Sequence, residues 1–132
     1  MEQNQITIDL KSLDQSINQT GKATLHGINF ESNSAKLTND SSNTVDILAK
    51  YLKKNKGASY FVVGHTDNKG EYAFNLKLSA DRAKTIKKSL QAKGIPEINL
   101  FAVGIAQVAP VASNNDEQGR AENRRVELVL KK

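Results

Sequence analysis

The segment SYFVVG, at residues 59–64, restricts the possible folds more than any other feature of the sequence. It favours a β-strand and is apolar throughout, which is typical of a central strand covered by helices. A helical pattern stands on each side of it. The preceding pattern carries Val45, Leu48 and Leu52 on one face, and the following one extends over residues 72–93. We therefore expect a layered α/β domain in which helices pack against this strand.

Three further segments have strand-type patterns, at residues 23–30, 100–105 and 125–130. The stretch between the last two, residues 106–123, is predicted to be a long loop. The resulting order is strand, helix, strand, helix, strand, strand. This order predicts an α/β (α+β) fold, a two-layer sandwich in which the helices pack on one face of a mixed sheet.

The hydrophobic pattern also makes finer predictions. On the second helix, Leu76 is expected in the buried stripe, and Ser79 is a candidate internal cap at which the helix could break. Leu130 is expected to face inward from the final strand. Before the domain, which we assign to residues 23–132, residues 1–22 form a polar lead-in with no assigned binding role. Its pattern predicts a strand over residues 6–10 and then a turn of helix.

The composition fits one domain and excludes several chemistries. The 132 residues are 38% hydrophobic, enough for a buried core, and no apolar run approaches the roughly 18 residues of a membrane span. The chain has no cysteine, which excludes a disulfide, a thiolate nucleophile and a cysteine-based zinc site. No basic-then-apolar signal follows Met1, so we expect either a cytoplasmic chain or one whose leader and anchor were removed.

The net charge of +5 allows an anionic partner. Single-stranded nucleic acid is not expected, because aromatic residues make up only 5% of the chain and do not alternate with basic residues on a strand. Many lysines instead have the helical spacing of a solvated face: Lys50, Lys53, Lys54, Lys77, Lys84, Lys87 and Lys88.

The turn GHTD, at residues 64–67, is the strongest candidate for a binding site, because open α/β sheets bind ligands at the carboxyl ends of their strands. Asp67 could hold a ligand there, or only close an Asx-turn with the backbone of Lys69. Arg82, in the helix that returns across the same sheet end, could bind a ligand carboxylate while Asp67 binds an ammonium group. The two side chains could equally form a structural salt bridge with each other. Spacing alone leaves both alternatives open.

Four sequence blocks surround this pair in order: GHTD-x-x-G, N-x-x-LS-x-x-RA, PVASN and GRA-x-NRRVE. Together they resemble the OmpA-like family, that of the C-terminal domain of outer membrane protein A, over about residues 25–130. Each block alone would be weak evidence for this family, but the four blocks in this order are highly specific to it. The chain departs from the family pattern after the third strand, where Gly104, Ile105 and Ala106 replace the common Gly-Tyr-Gly at the rim of the pocket.

The resemblance implies noncovalent binding of peptidoglycan through the diaminopimelate of its stem peptide. In such domains the aspartate of the HTD turn, here Asp67, receives the ligand ammonium, and the arginine of LSxxRA, here Arg82, receives its carboxylate. Weaker contacts carried over by motif match are those of Asn29, Phe30, Thr66, Asn75 and Leu78. The resemblance also implies a periplasmic, outer-membrane-associated domain without a cofactor. It would reach the membrane only through an anchor absent from this chain, and a homodimer is left open.

Catalysis is not expected from this sequence. It has only two histidines, no HExxH motif and no serine in a GxSxG elbow. His65 is expected to order its turn through backbone hydrogen bonds rather than to bind a metal. The basic cluster Arg120, Arg124 and Arg125 could extend an anionic site, but the favoured expectation is that it ties the last loop to carboxylates or carbonyls. The alternatives to a wall anchor are a protein-interaction domain on the same scaffold and, less favoured, a hydrolase of wall peptides.

Overall fold

A computed structural model of the chain describes residues 8–132. In chain order its elements are α1 (Leu10–Thr20), β1 (Lys22–Thr24), α2 (Ser42–Lys54), β2 (Tyr60–His65), α3 (Tyr72–Ala92), β3 (Leu100–Gly104), α4 (Glu117–Asn123) and β4 (Arg125–Leu130). Short 3-10 turns precede α2 and β3, at Asn39–Ser41 and Glu97–Asn99.

The four strands form one mixed sheet in the order β1-β4-β2-β3. β2 is central, because it pairs in parallel with β3 and antiparallel with β4, which in turn pairs antiparallel with β1. α3 packs on β2 and β3, while α2 packs on α3 and α1 on β1 and α2. The predicted two-layer α+β sandwich is confirmed, as is the order of its core elements.

The lead-in segment contains a full helix where only a turn of helix was predicted. The strand expected over residues 6–10 lies partly outside the described residues, and Leu10 begins α1. Asp9 caps this helix by accepting a hydrogen bond from the backbone N–H of Ser12 at 2.8 Å. Leu13 and Ile17 are buried in the same core as the sheet.

The first strand is shorter than predicted, because only Lys22–Thr24 pair with β4. Leu25 still donates its N–H to the carbonyl of Val126 at 2.9 Å. The chain then turns at Gly27, which has a φ of 92°. Residues 28–30 therefore leave the sheet and reach the end of β2, where a ligand could meet them.

α3 is continuous through Ser79, so the predicted break is wrong. The Ser79 hydroxyl donates to the carbonyl of Leu76 and accepts the N–H of Ala106, at 3.0 and 3.1 Å, without interrupting the helix. The buried stripe begins at Asn75 and not at Leu76, which is 37% exposed, because adjacent residues on a helix point about 100° apart. Leu130 is also exposed, since it is the last residue of β4.

A close approach of α3 to the sheet sets the position of the candidate site. Gly64 and Gly104 face each other in the β2–β3 register. A Cβ on Gly64 would stand 2.2 Å from the carbonyl oxygen of Ser79, and one on Gly104 would stand 2.2 Å from the amide nitrogen of Ala80. The two glycines thus let α3 lie directly on the strand ends, which brings Arg82 to the cavity that Asp67 lines.

The region predicted to be a long loop contains α4. Asp116 caps this helix, because its side chain accepts the N–H of Gly119 at 2.8 Å. The buried Asn123 at its other end accepts the backbone N–H groups of Val111 and Ala112, at 2.7 and 3.1 Å. The helix therefore fastens the preceding loop to the end of the sheet.

Candidate ligand-binding site

A cavity of about 590 Å³ opens beside the turn that follows β2. The seven residues selected from the sequence all line it: Asn29, Phe30, Thr66, Asp67, Asn75, Leu78 and Arg82. It has further lining residues that the sequence did not single out, among them Lys69, Phe74, Glu117 and Arg124. One concave surface thus brings together residues from the loop after β1, the turn after β2, α3 and the region around α4.

Asp67 is buried at the wall of this cavity with only 8% of its surface exposed. One carboxylate oxygen accepts the backbone N–H of Lys69 at 3.0 Å, so the Asx-turn considered from the sequence is present. The other oxygen accepts Nη1 of Arg124 at 2.7 Å. The salt bridge considered between Asp67 and Arg82 is not formed, because Arg124 is the ion-pair partner of Asp67.

Arg82 is held by neutral groups. Its Nε donates to the carbonyl of Ser34 at 2.8 Å, its Nη2 approaches the carbonyl of Glu31 at 3.4 Å, and its guanidinium lies 4.8 Å from the ring centre of Phe30. Within residues 8–132 no carboxylate forms an ion pair with it. Burial lowers the pKa of Arg82, and the like charge of Arg124 lowers it further. A guanidinium in this situation favours an added anion.

The polar neighbours of the pair hold the turn in shape. The Thr66 hydroxyl donates to the carbonyl of Asp67 at 2.8 Å. The buried Asn75 amide donates to the carbonyl of Lys69 at 2.9 Å and to the side chain of Gln107 at 3.3 Å. Gly70, which follows Lys69, has a φ of 90°, in the left-handed region that favours glycine. Thr66 and Asn75 therefore line the cavity and also fix the backbone that carries Asp67.

Ala106 retains a backbone conformation that glycine favours. Its φ is 55°, in the left-handed region, and its side chain is fully buried. The carbonyl of Ala106 accepts the N–H of Thr66 at 2.9 Å, and its N–H reaches the Ser79 hydroxyl. The segment after β3 is therefore tied both to the turn and to α3, and neither Ile105 nor Ala106 lines the cavity.

A buried charge network lies beside the turn. Nε2 of His65 donates to one carboxylate oxygen of Glu127 at 3.1 Å, and Nε of Arg125 donates to the other at 3.0 Å. The hydrogen bond from His65, aided by Arg125, lowers the pKa of Glu127 to about 2. The expectation that His65 bonds to backbone is wrong. The antiparallel register places His65 opposite Arg125, which makes Glu127 its diagonal neighbour on the same face.

The three arginines near α4 divide into two roles. Arg120 donates to the carbonyl of Asn114 at 2.8 Å and Arg125 to that of Ala109 at 2.9 Å, so both tie the loop as expected. Arg124 also binds carboxylates, those of Asp67 and Glu117, but unlike the other two it lines the cavity. The sequence indicated a difference between Arg124 and Arg125, because Arg124 directly precedes β4 and Arg125 begins it. Side chains of adjacent residues in a strand point to opposite sides of the sheet.

Within residues 8–132, no helix is long and apolar enough to cross a membrane. Over the same range, no group of three or more histidine, aspartate or glutamate side chains is placed to hold a metal ion.

Fold and site together define an α+β domain with a charged, ligand-sized cavity at one end of its mixed sheet. The chain belongs to the OmpA family, whose model matches residues 29–124.

The relatives of this chain include proteins whose names refer to peptidoglycan. It is 38% identical over 99 residues to the peptidoglycan-associated lipoprotein of Pseudomonas putida, an alignment that covers 75% of this chain and 59% of that one. It is 42% identical over 83 residues to the peptidoglycan-binding protein ArfA of Mycobacterium tuberculosis, covering 63% of this chain and 26% of ArfA. The chain thus spans only part of the length of these relatives.

Solved structures share the fold. The crystal structure of the peptidoglycan-associated lipoprotein from Burkholderia pseudomallei superposes with a TM-score of 0.70 at 28% identity, covering 85% of this chain and 91% of that one. The two-layer arrangement therefore recurs in a relative at low sequence identity.

Proposed function

We propose that this domain binds peptidoglycan noncovalently through the diaminopimelate of its stem peptide. On this proposal it holds an outer-membrane or periplasmic protein to the cell wall, and it is itself periplasmic. The names of the two relatives, one peptidoglycan-associated and one peptidoglycan-binding, support the wall as the target. Membership in the OmpA family supports the same assignment.

The choice of ligand rests on two side chains of opposite charge, Asp67 and Arg82, that line the same cavity. Arg82 lines the cavity without a carboxylate partner among the described residues, and the buried carboxylate of Asp67 lines the same cavity. The free end of diaminopimelate carries an ammonium group and a carboxylate on one carbon. Asp67 would accept the ammonium and Arg82 the carboxylate, and both contacts would be charge-assisted. Asn29, Phe30, Thr66, Asn75 and Leu78 would complete the walls.

We expect a diaminopimelate-containing stem peptide to bind about ten-fold more tightly than its lysine-containing equivalent. Lysine retains the ammonium group but lacks the neighbouring carboxylate, so Arg82 would be left without its anion. Isothermal titration calorimetry with the two peptides measures the ratio. In Arg82→Ala the ratio should approach one. Equal affinity of the wild type for both peptides would contradict the proposed mode of recognition.

We also expect the domain to bind intact peptidoglycan without cleaving it. Asp67, bonded to Arg124 and to a ligand ammonium, is a poor general base, and Arg82 stays protonated and cannot shuttle protons. Sedimentation with purified wall should recover the domain in the pellet, and chromatography of the supernatant should show no muropeptides, with or without zinc. Muropeptide release that scales with protein concentration and disappears in Asp67→Ala would show that the domain is a hydrolase.

A further inference from the structure

Arg124 is clamped between two carboxylates at the edge of the cavity. Its Nη1 donates to Asp67 at 2.7 Å and its Nη2 donates to Glu117 at 2.6 Å. The two partners differ in exposure, because the Asp67 side chain is 11% exposed and that of Glu117 is 66% exposed. One nitrogen of the guanidinium is therefore bonded to a buried carboxylate in the wall of the cavity. The other is bonded to a carboxylate that faces solvent.

The contact with Glu117 is the exchangeable one. An ion pair that faces solvent contributes little to stability, because water solvates both charges when it opens. Hydrogen bonding from Arg124 nevertheless lowers the pKa of Glu117, so this side chain is an anion at neutral pH. Glu117 thus occupies, beside Arg124, a position that another carboxylate could take.

The charges around the cavity favour an additional anion. The lining contains three cations, Lys69, Arg82 and Arg124, and two carboxylates, Asp67 and Glu117. A ligand with one ammonium and one carboxylate leaves this excess of positive charge unchanged. If Glu117 turns outward to solvent, the excess at the cavity grows by one charge. A second ligand carboxylate beside Arg124 would take the place of the Glu117 charge and return the excess to its original value.

We infer that Arg124 is a specificity-determining residue that binds a second carboxylate of the ligand, in exchange for Glu117. This inference rests on the proposed function and names the form of stem peptide that the site prefers. Arg124 keeps its bond to Asp67 on binding, since a guanidinium has five N–H donors and can serve both groups. The ligand ammonium at Asp67 and the ligand carboxylate at Arg124 then lie at neighbouring positions along one wall.

Diaminopimelate can supply this second carboxylate. It has an amino-acid group at each end of a three-methylene chain, and one end is incorporated in the stem. When diaminopimelate is the last residue of the stem, the carboxylate at that end is also ionised. In a longer stem the same group is an amide and carries no charge. The pocket should therefore select stems that end at diaminopimelate.

Calorimetry with two synthetic tripeptides tests this selection. Both end in diaminopimelate and keep its free end intact, but the chain-end carboxyl is a carboxylate in one and a carboxamide in the other. The wild type should bind the carboxylate form about ten-fold more tightly. Arg124→Gln should bring the ratio close to one. Glu117→Gln should tighten binding of the carboxylate form about three-fold and leave the carboxamide form within two-fold, because it removes only the competing anion.

Lys77→Gln is the matched control, because it removes one positive charge from an exposed side chain of α3 outside the cavity. It should keep the wild-type ratio. A wild-type ratio near one, or an Arg124→Gln variant that keeps the ten-fold preference, would overturn the inference while leaving the proposed function standing. Failure of the wild type to bind either tripeptide would overturn the proposed function and this inference with it.

Discussion

Replacing Glu127 with alanine is expected to lower the free energy of unfolding by about 3 to 5 kcal/mol, because it leaves two buried partners without their acceptor. Nε2 of His65 and Nε of Arg125 both donate to this carboxylate, and the three side chains are each less than 8% exposed. A domain of this size has a total stability of about 5 to 15 kcal/mol. Urea unfolding followed by circular dichroism should therefore show a large shift in midpoint.

The Glu127 carboxylate should make the free energy of unfolding depend on pH in the acidic range. The folded-state pKa of Glu127 is about 2, below its ordinary 4.5, so the folded state favours the ionised form. Its contribution is fully present above pH 4.5 and is lost as the pH falls toward 2, by roughly 3 kcal/mol in all. Glu127→Gln should flatten this part of the stability curve.

Glu122→Ala provides a control for both measurements, since it removes an exposed carboxylate from the neighbouring helix α4. It should change the free energy of unfolding by less than about 0.5 kcal/mol. If Glu127→Ala were as mild as this control, the buried network would not contribute to stability in the way its hydrogen bonds indicate.

Binding of diaminopimelate-containing stem peptide should weaken by about 1.5 to 3 kcal/mol in Asp67→Asn and, separately, in Arg82→Ala. Each substitution removes one charge-assisted contact, which corresponds to a loss in affinity of about ten- to more than a hundred-fold. Calorimetry gives the affinity directly. The folded state should persist in both variants, because Asp67→Asn keeps a side-chain oxygen that can accept a hydrogen bond and Arg82→Ala breaks no ion pair among the described residues.

Each of the two substitutions has a second consequence in the structure. Asp67→Asn removes the negative charge opposite Arg124, and Arg82→Ala releases the carbonyls of Ser34 and Glu31. NMR spectra of the unbound variants should therefore be compared with the wild type before binding is interpreted. Asp81→Asn is the matched control, because this partly exposed carboxylate of α3 pairs with Lys77 outside the cavity. Unchanged affinity in a well-folded Asp67→Asn or Arg82→Ala variant would remove that residue from the site.

The layered fold was predictable because its determinants are local. Side-chain periodicity and helix-breaking residues can be read in short windows of sequence. They predict the apolar run of β2, the buried face of α2 and the end of α3. The seven candidate site residues were selected partly by position at the end of β2 and partly by motif match. They share a cavity because α3 lies directly on β2 at Gly64 and on β3 at Gly104. Their roles in binding remain predictions.

The partners of the charged residues were decided by the tertiary structure alone. Asp67 and Arg82 have opposite charges and lie at the same sheet end, yet Asp67 pairs with Arg124 and Arg82 with backbone carbonyls. His65 pairs with Glu127 because the β2–β4 register makes them diagonal neighbours. Periodicity reports which face of its own element a residue occupies. It carries no information on register between distant strands, or on which of several opposite charges lies nearest once those strands and helices have packed.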